Sequence, residues 1–180
     1  MQAIDEVSSF AQSAGEYGGA PWEMLPDIGL YMDQVIMYIN RQQEAVSDTP
    51  MTGNMVNNYV KDGLVRRPEQ KRYSREQIAS LLMISGLKPV LQMPDIACLL
   101  SSLDKRCTAR ESYTDFCIKQ SEALSQVMQR VEEACSDARK HGRAQLEELA
   151  MSLALEASAR RIAAEKILSL LKEERENPDA

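Results

Sequence analysis

Residues Thr108 to Lys172 constrain the fold of this chain more than any other stretch. Apolar side chains recur at Tyr113, Phe116/Cys117, Leu124, Val127/Met128, Val131, Ala134/Cys135 and Ala138. Steps of three and four place them along one side of a long helix, as a heptad-like seam. Gly142, beside His141, interrupts the pattern. A second helical stretch from Gln145 to about Lys172 carries Leu146, Leu149, Leu153, Ala157, Ala164, Ile167 and Leu171 on one stripe. Two long amphipathic helices in series must cover their stripes, against each other as an antiparallel hairpin or against a second copy. The seam therefore supports two readings. One is a homodimer interface at Tyr113, Leu124, Val127, Met128 and Val131; the other is a hairpin closed within one chain.

The rest of the chain also favours helix. Hydrophobic residues make up 44%, charged residues 27% and aromatics only 5% of the 180 positions, while Ala, Leu, Met, Glu, Gln and Arg abound. The expected fold class is mainly α. No apolar run approaches the ~20 residues of a membrane span, and the acidic start, MQAIDEVSSFAQSAGEYGG, lacks the apolar core of a signal peptide. A cytoplasmic protein without a membrane partner is expected. Cys98, Cys107, Cys117 and Cys135 form no CxxC and share the chain with one histidine, so they read as buried thiols and no metal site is expected. The acidic pairs Glu132-Glu133, Glu147-Glu148 and Glu173-Glu174 lack the Glu-x-x-His of a di-metal bundle. No phosphate-cradling glycine motif occurs, and His141 is poorly placed for a triad. Neither enzymatic activity nor a cofactor is expected.

Residues 1–20 are small and polar and read as a flexible arm, with at most a weak helix from Ile4 to Ser13. Asp27 is placed to cap a helix with apolar positions Ile28, Met32, Val35, Ile36 and Ile39. Thr52 caps a short helix running to about Asp62, with Met55, Val56 and Tyr59 on one face and Gly63 at the C-cap. Arg66 to Arg72, RRPEQKR, is a basic, proline-containing hairpin or wing. Ser74 and Gln77 form a capping box for a helix apolar at Ile78, Leu81, Leu82 and Ile84. Pro94 opens another helix, to about Leu103. The expected division is an arm at 1–20, a first folded region at 21–105, and a helical oligomerisation or sensing region at 106–180, ending in a frayed tail from Glu176.

Net charge is −6, which by itself disfavours a nucleic-acid partner. The charge is segregated, however. Between Met51 and Leu91 seven bases face three acids, a local +4 that leaves −10 on the remainder.

The order Tyr59-Val60-Lys61-Asp62-Gly63-Leu64-Val65, then Lys71-Arg72-Tyr73-Ser74, then the helix from Gln77, then the helix from Pro94 resembles the DNA-binding domain of MerR-family regulators. Joined with LPDIGLYMDQVIMYIN at Leu25 to Asn40, the segment is still more similar to an uncharacterised bacterial family, domain of unknown function 1836. That resemblance spans roughly Leu25 to Leu103. It implies a winged helix-turn-helix but brings no established activity. Two features depart from the MerR pattern. Asn57-Asn58-Tyr59 stands where that family has Arg-Tyr-Tyr, and an extra helix precedes the motif.

A recognition helix shows polar residues on one face and apolar ones on the other. Here Asn54, Asn57, Asn58 and Lys61 would face outward, with Thr52 at the helix start. An asparagine amide pairs with adenine in the major groove. Arg66, Arg67, Lys71 and Arg72 of the wing suit phosphates, which position a protein without reading sequence. Tyr73 either packs against the wing base or offers its hydroxyl to a phosphate. The expected function is a DNA-binding transcriptional regulator whose partner is double-stranded DNA. The alternative is a non-enzymatic protein–protein interaction module on the same scaffold. Nothing in the residue pattern indicates an effector ligand.

Overall fold

The computed structural model describes residues 2–47 and 49–176. Among these, seven α-helices and one 3₁₀ turn make up the regular structure: α1 (Gln2–Gly15), the turn (Trp22–Met24), α2 (Met32–Gln43), α3 (Gly53–Lys61), α4 (Arg75–Leu87), α5 (Met93–Asp104), α6 (Ala109–His141) and α7 (Ala144–Glu176). The expectation of a mainly helical protein is met. Extended pairing among these residues is limited to two isolated antiparallel bridges, Leu30 with Tyr73 and Glu69 with Arg72. None of the helices is long and apolar enough to cross a membrane.

The core forms around α4. Its Ile78, Ala79, Leu81, Leu82, Met83 and Ile84 are all buried, and a helix apolar on so many sides must lie inside. Val35 and Ile39 of α2, Val56 and Tyr59 of α3, Ile96 and Leu100 of α5, Tyr113 of α6 and Leu168 of α7 join it in one cluster. The region expected to begin at 106 therefore shares its core with the segment before it. Burial at Gln43 is satisfied, because its amide donates to Leu82 O and accepts from Ser85 Oγ.

α6 and α7 fold back on each other as an antiparallel hairpin. Gly142, at φ 96°, ends α6, a left-handed geometry suited to glycine. Arg130 bonds Glu156 across the two helices, and Lys172 reaches Asp95 of α5 at 2.6 Å. Within the one chain, α6 packs on α7 and on α1. Tyr113 is buried, while Leu124, Val127, Met128 and Val131 are half-buried on a helix flanked by α1 and α7.

Two expectations need correction. Residues 2–15 are not an arm: α1 lies antiparallel along α6, with Ala11 and Ala14 buried, Asp5 paired to Arg139 at 3.0 Å and Gly15 against Met128. Small residues allow this close approach, and small residues also weaken the sequence signal. Asp27 does not cap α2. The N-cap is Tyr31, whose N–H donates to Gln34 Oε1 at 3.0 Å, and Ile28 lies outside the helix, 69% exposed. Residues 177–180 of the expected tail lie outside the described residues.

Candidate nucleic-acid interface

α3 is short, and its position is fixed at both ends. Asn40 of α2 clamps the strand leading in: its Nδ2 donates to Met51 O at 3.1 Å, and its Oδ1 accepts from Met51 N at 2.7 Å. Thr52 then caps the helix, its Oγ1 accepting from Met55 N at 3.4 Å. At the far end Gly63, at φ 76°, turns the chain, and the N–H groups of Leu64 and Val65 donate to Tyr59 O. Val56 and Tyr59 are buried and Met55 half-buried. The opposite face presents Asn54, Asn57, Asn58 and Lys61, all exposed, as the alternation of residue types implies. Lys88, just beyond α4, stands with Nζ 5.6 Å from the Tyr59 ring centre, a cation–π contact linking α4 to α3.

The basic segment after α3 closes in a two-residue turn. Arg72 N donates to Glu69 O at 2.8 Å, and the central residues Gln70 and Lys71 have φ 47° and 63°. Both central residues at positive φ define a type I′ turn, which normally takes Asn-Gly. Gln77 clasps the base of this hairpin. Its Nε2 donates to Arg66 O and its Oε1 accepts from Ser74 N, each at 2.7 Å. The capping-box motif thus sets the hairpin as well as the start of α4, a role that spacing alone does not announce. Arg72 lies over Tyr31, 5.0 Å from its ring centre, and donates to its hydroxyl at 3.2 Å. Gly29 permits this approach, since a Cβ there would fall 2.9 Å from Arg72 Cβ.

Arg66, Arg67 and Arg72 line one cleft with Gln70, and the carboxylates of Asp27, Glu69, Glu76 and Asp104 line it too. The hydrogen bond from Ser74 holds the Glu76 carboxyl below its ordinary range, with a smaller contribution from the charges of Arg75 and Arg66. The α3 candidates do not line this cleft; they are exposed on α3, which ends at Lys61, five positions before Arg66. Lys71 is exposed in the turn. Tyr73 leaves the candidate set. It is 2% exposed, its backbone pairs with Leu30 in both directions at 3.0 and 2.8 Å, and burial raises its hydroxyl pKa. Of its two sequence readings, packing at the wing base is the one that this burial fits, and the bridge to Leu30 turns the ring inward.

One electrostatic contrast separates the two parts of the molecule. Nine cations between Arg110 and Lys172 form ion pairs within 4.0 Å. No lysine or arginine from Arg41 to Arg106 does so among the described residues. A protein family described as a domain of unknown function, DUF1836, matches residues 20–123. The chain belongs to this family. The DUF1836 match is wider than the stretch carrying the resemblance, taking in α2 to α5 and the first part of α6. It includes every cation that lacks an ion partner up to Arg106, along with both the asparagine face of α3 and the turn at Gln70-Lys71. No curated protein and no solved structure matches the chain.

Proposed function

We propose that this DUF1836 protein is a cytoplasmic, non-enzymatic DNA-binding regulator built on a MerR-like winged helix-turn-helix. In this reading α3 is the recognition helix, offering Asn54, Asn57, Asn58 and Lys61 to base edges. The hairpin with Arg66, Arg67, Lys71 and Arg72 is the wing that holds phosphates. The observation that carries it is the run of cations without ion partners, against nine paired ones beyond residue 109. Cations left without carboxylate partners suit an external polyanion, and their counterions are released when it binds. The seam at Tyr113, Leu124, Val127, Met128 and Val131 is buried or half-buried within its own chain, which favours a closed hairpin over a homodimer through that face.

Fluorescence anisotropy with random duplex DNA tests the proposal. Binding is expected at low salt, falling steeply as salt rises. Absence of binding at ~20 mM salt, where phosphate contacts are little screened, overturns it.

A second reading, a protein-interaction module, draws on Met151, Leu155 and Ile162, exposed on one side of α7. Nuclease-insensitive capture of a partner protein, together with no DNA binding, would favour it.

A further inference from the structure

A cleft of about 500 Å³ opens between the end of α4, the C-terminal half of α5 and the start of α6. That volume falls in the range of ~300–1,000 Å³ typical of small-molecule sites. Its walls are apolar, formed by Met83, Leu99, Leu100, Leu103 and Phe116. Gly86 brings α4 against α6 at this point, since a Cβ there would lie 2.7 Å from the Phe116 ring.

The rim is polar and carries one uncompensated charge. Lys119 is held by Asp115, so that pair is neutral. Arg106 is exposed, its Nε donates to Ser102 O at 3.3 Å, and its terminal nitrogens meet no carboxylate within 4.0 Å among the described residues. The side-chain amide of Gln120, also at the rim, has no hydrogen-bond partner among the described residues. An apolar trough with a single free guanidinium and a spare amide at its edge is complementary to one kind of small molecule. A carboxylate accepts two parallel hydrogen bonds from a guanidinium, and a hydrocarbon tail replaces water on the apolar walls.

We propose that this cleft binds a small amphipathic monoanion, an aliphatic carboxylate of medium chain length. Its tail lies against Leu99, Leu103 and Phe116, and its head is held by Arg106 and Gln120. The site is separate from α3 and the wing, so it stands independently of the DNA reading.

Isothermal titration of sodium decanoate into the full chain, without DNA, is the test. Saturable one-to-one binding is expected, with none for decyltrimethylammonium. Arg106→Gln, at an exposed position that leaves the core intact, should weaken decanoate binding at least ~10-fold, the loss of one charge-assisted hydrogen bond or more. The same variant should bind decanol as the wild type does. No saturable binding of decanoate, equal binding of the cation, or an Arg106→Gln affinity for decanoate equal to wild type would each overturn the proposal.

Discussion

The guanidinium of Arg130 holds the Glu156 carboxylate through two hydrogen bonds of 2.9 and 2.7 Å, pinning the middle of α6 to α7. Ser152 and Arg160 also bond Glu156. These contacts, the Arg130 bond foremost, pull its pKa from 4.5 down to about 2. A carboxylate depressed in the folded state adds stability that is present above its unfolded pKa and lost as pH falls through the folded one. Thermal melts should therefore decline between pH 4.5 and about 2. Glu156→Gln should melt lower than wild type at pH 7 and show a shallower decline over that window. An unchanged acid profile in the variant would remove the pair from the account of stability.

The wing and α3 should separate functionally. Changing Arg66, Arg67, Lys71 and Arg72 together to Ala is expected to weaken binding to all duplexes alike, flattening the slope of log K against log salt by roughly 3–4. Asn57→Ala or Asn58→Ala should instead relax preference among sequences, with non-specific affinity nearly intact. Tyr73→Phe should leave DNA binding unchanged, because its ring is buried. Anisotropy with a selected and a scrambled duplex reads all three.

Lys71 occupies a left-handed conformation at φ 63°, which costs a non-glycine residue about 1–2 kcal/mol. Lys71→Gly should relieve most of that and raise Tm by roughly 2–4 °C for each kcal/mol recovered, while DNA affinity falls through the lost charge. Strain retained at a turn that the proposed wing depends on would give this opposed pair of effects. A drop in Tm would show that the turn is not strained.

A charge in the α6 seam should destabilise without changing assembly. Leu124→Glu places a carboxylate at a half-buried position and should lower Tm by about 3–10 °C. Mass by light scattering should match wild type before and after the change. A wild-type dimer that the variant splits would return the seam to the role of an interface between copies.

Local signals were the legible ones. Thr52, Gly63 and the Ser74–Gln77 box announce their helix ends because capping chemistry lies within three residues. The apolar positions of α4 are buried as their spacing implies, and the alternation on α3 puts its asparagines outside. Distant partnerships were opaque. Ala11 and Ala14 look like a weak helix until α6 supplies the surface they cover. Tyr31 outcompetes Asp27 for the start of α2 because the chain must first run beside Tyr73. The cleft under Arg106 draws on three helices, and no stretch of sequence contains it.

The pairing of Asp5 with Arg139 spans 134 positions. α1 leaves the ribosome well before α6, whose surface buries Ala11 and Ala14. At ~5–20 residues per second, that interval is roughly 7–27 s. Throughout it the α2–α5 cluster can form on local contacts, whereas α1 must wait. A nascent chain stalled before residue 139 should thus have a protease-sensitive α1 and a resistant α2–α5 centre, with protection of α1 arriving only as α6 completes.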